Sequence, residues 1–97
     1  MRYEIVLAPE AIEDLRSLSA GVRTKVKSAL DTHLRHEPRK VSRSRIKRLR
    51  GVSRPQYRLR VDDVRVFYDV ANDVVEVLAI VEKPEALTWL AKFGTPE

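Results

Sequence analysis

The sequence predicts an α+β fold in the order β-α-α-β-β-β-α: an antiparallel-rich twisted sheet with an N-terminal helical hairpin packed on one face and a short C-terminal helix. Three observations carry this expectation. Helical apolar spacing runs from residue 9 toward Pro38, β-branched segments fill the stretch from Ile46 to Val81, and the dipeptides Asp62-Asp63 and Asn72-Asp73 punctuate that stretch at hairpin spacing. With 97 residues and 43% hydrophobic content there is material for one core, so residues 1–97 are expected to form a single domain.

Along the chain, Met1 to Leu7 alternates Tyr3, Ile5 and Leu7 with Arg2, Glu4 and Val6, which predicts a first strand. Pro9 suits a first helical position and Glu10, Glu13 and Asp14 suit the positive end of a helix dipole, while Ala11, Leu15 and Leu18, with Ile12, recur at helical spacing. Ser19-Ala20-Gly21 breaks this helix. A second comes next with Val22, Val26, Ala29, Leu30 and His33 on one stripe, ending before Pro38. Glu37 to Arg45 has no apolar period and is expected to be an extended basic loop. Strands are predicted at Ile46–Arg50, Gln56–Val61, Val64–Val70 and Val74–Val81, with 51–55 as a connecting loop. Pro84 then opens a short helix carrying Ala86, Leu87, Leu90 and Phe93 that frays at Gly94.

Composition narrows the chemistry. The chain has no cysteine and two histidines, which excludes disulfides, thiolate metal sites and a cysteine nucleophile; neither a metal nor a cofactor is expected. No apolar run approaches the roughly 18 residues of a membrane span, the first residues lack the layout of a secretion signal, and the expected location is the cytoplasm. The net charge of +5 is unevenly spread: residues 35–60 hold eleven basic side chains against Glu37, whereas residues 61–97 hold three basic against eight acidic. So concentrated a positive field favours a polyanion.

A two-residue turn at Asp62-Asp63 fixes which side chains share a sheet face. Val61 with Val64, Leu59 with Val66 and Tyr57 with Tyr68 form the core side. Arg60 with Arg65, Arg58 with Phe67 and Gln56 with Asp69 form the other. Like charges opposite one another destabilise a sheet, so folding does not ask for this arrangement. With Asn72-Asp73 also a two-residue turn, Val75, Val77, Ala79 and Val81 join the core side, and Leu78 and Ile80 join Phe67 as an apolar floor beneath the arginines. Guanidinium groups around an apolar floor suit a nucleotide, or a partner segment carrying acidic and apolar residues.

These residues resemble the RelE/ParE superfamily of bacterial toxins. The likeness rests on Pro9-Glu10-Ala11 after the first strand, Lys47-Arg48-Leu49-Arg50-Gly51, the Tyr57-Arg58-Leu59-Arg60-Val61 strand, the Arg65-Val66-Phe67-Tyr68 strand and Val75-Glu76-Val77-Leu78. It implies a toxin of a type II toxin–antitoxin system acting as a ribosome-dependent mRNA endoribonuclease that stops translation and is neutralised by a cognate antitoxin. The alternatives are a ParE-like poison of DNA gyrase, or a degenerate member serving mainly as its antitoxin's partner. Operator DNA would be bound only through the antitoxin complex. The implied catalytic residues are Arg58, Arg60 and Arg65, with Lys83 in place of a cation RelE carries after its last strand. The basic segment Arg39, Lys40, Arg43, Arg45, Lys47, Arg48 and Arg50 would hold RNA, and Phe67 and Trp89 would contact bases. The chain departs from RelE in having arginines for two lysines and in carrying Glu82-Lys83-Pro84 and Trp89-Leu90 where RelE has an arginine and a tyrosine. An arginine does not accept a proton at physiological pH, so the base that RNA cleavage needs is missing from the matched residues. His33, on an apolar stripe, reads as structural, and His36, at a helix end, is left as a candidate for that base.

Overall fold

The computed structural model describes residues 2–97. Its elements are β1 (Glu4–Leu7), α1 (Pro9–Ser17), α2 (Ala20–Ala29) running on into a π-helical turn (Leu30–Leu34), β2 (Ile46–Arg48), β3 (Val52–Arg54), β4 (Tyr57–Val61), β5 (Val64–Ala71), β6 (Val74–Glu82), α3 (Lys83–Phe93) and β7 (Thr95–Pro96). Met1, expected in the first strand, lies outside the described residues. Five strands form one sheet in the order β1-β6-β5-β4-β2, with β1 parallel to β6 and the other neighbours antiparallel.

The α1–α2 hairpin covers one face of this sheet. Ala11, Val26, Leu30 and Leu34 pack with Leu59, Val66, Tyr68, Val75 and Val77, and each such large apolar side chain contributes about 1.5–3 kcal/mol when fully removed from water. Buried among them, Tyr68 donates its hydroxyl to the Pro38 carbonyl at 2.7 Å, which offsets the cost of desolvating it. Burial also pushes its phenol well above the ordinary value. Pro9 opens α1 as expected. The end of α1 is held by a residue on the next helix: Arg23 donates to the carbonyls of Leu15 (3.2 Å), Arg16 (3.1 Å) and Leu18 (2.9 Å), satisfying acceptors that a helix terminus leaves open. Ile12 and Val22, expected on the apolar stripes, are exposed instead.

Asp62 and Asn72 sit at φ +52° and +55°, a left-handed backbone that Asp and Asn tolerate, and each opens a two-residue turn. The β4–β5 register pairs Tyr57 with Tyr68, Arg58 with Phe67, Leu59 with Val66, Arg60 with Arg65 and Val61 with Val64, as the turn predicts. The β5–β6 register keeps the expected pairing only from Ala71↔Val74 to Tyr68↔Val77. There a bulge absorbs Leu78, and the ladder resumes at Phe67↔Ala79 and Val66↔Ile80. One extra residue reverses the parity of the strand beyond it: Ile80 enters the core, whereas Ala79 and Val81 turn to the arginine face. The bulge coincides with a change of neighbour, because β1 accompanies β6 only from Val74 to Val77. Beyond that point Asp14 on α1 accepts the Ile80 backbone N–H at 2.9 Å.

The C-terminal helix takes the opposite face from the hairpin: α3 lies on the arginine side with Trp89 stacked on Phe67 (5.0 Å between ring centroids, 6° between planes). It does not fray at Gly94 as expected: the chain continues into β7, which pairs with β3 inside the segment expected to be a loop. Gly94 permits this approach, because a Cβ there would stand 2.6 Å from the Leu90 carbonyl oxygen and 3.2 Å from Val52 Cγ1. Finally, β3 is anchored by Arg54, which pairs with Asp69 at 3.2 Å and Glu76 at 2.9 Å.

Candidate anion-binding site

Adjacent strands place four cations on one sheet face near the β4–β5 turn. Lys47 on β2 stands opposite Arg58 on β4, and Arg60 stands opposite Arg65 on β5. Among the described residues none of the four takes part in an ion pair, although six such pairs form elsewhere. Burial, then the charges of Arg65 and Arg60, make the Arg58 guanidinium less willing to stay protonated, and its Nε is buried with no hydrogen-bond acceptor. Buried donors are normally satisfied, so a buried charged N–H without a partner marks a place where an acceptor belongs.

Arg65 differs from its neighbours. Only 7% exposed, it donates from one terminal nitrogen to the carbonyls of Asp62 (2.8 Å) and Val64 (3.1 Å), folding its guanidinium back against the turn. Burial and Arg60 lower its pKa, and Asp63 opposes them. Arg60 is exposed and its side chain makes no hydrogen bond among the described residues. Lys83 opens α3, and its backbone N–H donates to the Asp63 carbonyl at 2.7 Å, so the positive end of the α3 dipole lies at this same end of the sheet.

The remaining sequence-derived candidates are dispersed. Arg48 lies over the Tyr57 ring (5.2 Å) and donates to the Gln56 carbonyl at 2.8 Å; Tyr57 in turn stacks on Tyr68, which puts Arg48 on the helical side. Arg39 lies over Tyr3 and donates to its hydroxyl at 3.1 Å. Lys40 pairs with Glu37 at 3.6 Å. Arg45 lines a hollow of about 260 Å³ with His33, His36, Lys40 and Ser42. Burial and the Arg45 charge lower the pKa of His33 there. Arg43 and Arg50 are exposed. Of the basic segment, Lys47 is the residue that strand pairing puts on the face of Arg58, Arg60 and Arg65.

The apolar floor is also rearranged. Phe67 is 1% exposed beneath Trp89, Ala79 takes the place expected of Ile80, and Trp89 also lies 5.6 Å from the tilted ring of Phe93. Phe67 therefore offers no free ring for a base, whereas Trp89, half-buried, lines a hollow of about 480 Å³ with Leu78 and Phe93. Sequence reasoning missed Arg54, whose two carboxylate partners lie on strands that the predicted register had already put side by side. Among the described residues no three His, Cys, Asp or Glu side chains gather as they would around a metal ion. No helix among them is long and apolar enough to cross a membrane.

What remains is a compact set of guanidinium groups with a desolvated, unsatisfied donor, suited to a phosphate or carboxylate oxygen. A family model described as the ParE toxin of the type II toxin–antitoxin system parDE matches residues 5–85. Among solved structures the chain is similar to the E. coli toxin RelE, determined in the free state with two arginines changed to alanine, at 26% identity over 94% of this chain and 93% of that one with a TM-score of 0.70. It is similar to the RelE–RelB complex of Pyrococcus horikoshii OT3 (24% identity, 86% and 97% covered, TM-score 0.70). It is also similar to the toxin–antitoxin complex RelBE2 of Mycobacterium tuberculosis (22% identity, 84% and 92% covered, TM-score 0.70). No curated protein matches it.

Proposed function

With a ParE-toxin model spanning residues 5–85, the chain belongs to the RelE/ParE superfamily as the toxin of a type II toxin–antitoxin system, and from that premise we propose that it cleaves messenger RNA on the ribosome. The observation that carries this reading is the unpaired arginine cluster with the buried, acceptor-less Arg58 Nε. Arg58 and Arg60 grip the scissile phosphate and stabilise the charge that builds on it, Arg65 braces the turn beside them, and Lys83 adds charge from the start of α3. Lys47, with Arg43, Arg45 and Arg50 at the sheet edge, holds ribosomal RNA through phosphate contacts. A cognate antitoxin, carrying acidic and apolar residues, covers this face and keeps the toxin silent, and operator DNA is reached only through that complex. The similarity to toxins solved with RelB supports the partner.

Purified toxin, freed of antitoxin, should cut message in ribosome complexes, and Arg60→Ala should lose about 10²-fold or more of that activity. Arg60 is the informative position because, unlike Arg65, it supports no backbone carbonyl. Message left intact at doses that arrest growth overturns the reading. One observation favours gyrase poisoning as the second reading: both aromatic rings expected to receive a base are stacked on each other. In that case DNA synthesis fails before protein synthesis, and supercoiling by purified gyrase is inhibited.

A further inference from the structure

Resting on the RNA-cleavage reading, we propose that α3 and β7 form a hinged roof over a nucleotide site. With the roof lifted, a base stacks on Phe67 and the adjoining phosphate accepts the Arg58 Nε–H. Phe67 and Arg58 are cross-strand partners on β5 and β4, and Ala79 flanks Phe67 on β6. Partners on one sheet face stand about 4.5–5.5 Å apart at Cβ, a span that one nucleotide bridges between its base and its phosphate. Phe67 (1% exposed) and Ala79 (0%) are nevertheless closed off from solvent, although neither belongs to the core cluster beneath the α1–α2 hairpin. Arg58 Nε is buried beside them without an acceptor. Such a donor costs free energy until a group accepts from it, and among the described residues none does.

The cover over Phe67 is slight. Trp89 lies flat on the ring, 5.0 Å away with 6° between planes. No residue of α3 is itself buried, and Leu87 and Phe93 are 81% and 59% exposed. Among the described residues no ion pair or side-chain hydrogen bond ties α3 to the sheet. The helix is held at its two ends instead. At the near end Lys83 follows β6 without a linker and donates its backbone N–H to the Asp63 carbonyl at 2.7 Å, which makes a hinge. At the far end β7 clasps β3: Val52 pairs with Pro96, the Glu97 N–H donates to the Gly51 carbonyl at 3.2 Å, and the Ser53 hydroxyl donates to the Thr95 carbonyl at 3.4 Å. An element with so little buried surface is among the first to open locally. The stack that Phe67 loses when Trp89 lifts is replaced when a base arrives, so binding and opening are coupled.

The test locks the clasp. Val52 and Pro96 face each other as a pair that exchanges no hydrogen bonds, the arrangement that brings antiparallel side chains closest. The chain has no cysteine, so the full-length variant carrying Val52→Cys and Pro96→Cys forms a single bridge on oxidation, and its reduced form is the control for folding. Trp89 is the one tryptophan in the sequence, so its fluorescence reports on the roof. A short 2′-O-methyl oligoribonucleotide should raise acrylamide quenching of Trp89 in the reduced protein, and an abasic oligomer with the same phosphates should bind without doing so. The oxidised protein should bind the oligoribonucleotide about tenfold more weakly, the worth of one stacked base, and dithiothreitol should restore both signals. Equal affinity in the two redox states overturns the roof, as does a Trp89 that stays shielded on binding or is uncovered equally by the abasic oligomer. A Trp89 uncovered by co-expressed antitoxin and by no oligonucleotide gives the roof to the protein partner and overturns the nucleotide site. Message left intact on ribosomes by a toxin whose roof opens to the oligonucleotide overturns the cleavage reading alone.

Discussion

Arg60 and Arg65 face each other across β4 and β5 with no carboxylate between them, an arrangement that costs folding energy and is therefore kept for another reason. Arg60→Thr should raise the unfolding free energy by about 0.2–1 kcal/mol in urea titrations and, on the proposed reading, lower message cleavage by about 10²-fold or more. An unchanged or lowered stability would show that the two charges are already screened. The pairing itself is legible from the sequence, because a two-residue turn determines every cross-strand partner of the hairpin. The depth of Arg65 is not, since its burial comes from a guanidinium bending back to the Asp62 and Val64 carbonyls, and no periodicity encodes that. Phe67 and Trp89 depart from expectation for a related reason: the sequence shows that both are aromatic and that Phe67 lies near the arginines, but nothing in their spacing says that they stack on each other.

Two elements show why strand parity is readable in one hairpin and not in the next. In β5 the alternation of Arg65 and Phe67 with Val64, Val66 and Tyr68 leaves one register, whereas Val77-Leu78-Ala79-Ile80-Val81 is apolar throughout and tolerates a bulge anywhere along it. The deciding contact is remote, the Asp14 carboxylate on the Ile80 N–H. The α1–α2 hairpin is readable in outline, but not the way Arg23, outside the apolar stripe of α2, fastens the two helices through three carbonyls. Arg23→Met, which keeps the aliphatic stem, should destabilise the protein by about 1–3 kcal/mol, measured as a lower urea midpoint with an unchanged m-value. A loss below about 0.5 kcal/mol would mean that water satisfies those carbonyls equally well.

For the molecule as a whole, the uneven charge and the α+β architecture are legible in composition and element order, and the family in the residue motifs of β4 and β5, whereas the dispersal of the basic segment over two sides of the sheet is not. The pH response also belongs to this scale. His33 binds its proton less readily in the folded chain than its ordinary value of 6.5, so protonation favours the unfolded state: its contribution is intact above 6.5 and is lost as the pH falls below it. Asp69, raised above its ordinary value of 3.8, acts with the opposite sign and gains stability on acidification. His33→Gln should therefore lose less stability than wild type when urea midpoints are compared above and below pH 6.5. Equal slopes for the two proteins would refute the assignment. The bulge in β6 has a consequence for where any ligand can sit. By sending Ile80 to one side and Ala79 to the other, it lets a single sheet be roofed twice, by α1 and α2 below and by α3 above. A sheet sandwiched in this way has no open central plain. What stays open lies toward a rim, where the first turn of α3 meets the β4–β5 hairpin, so an anion meeting Arg60 approaches from the flank of the α3 roof.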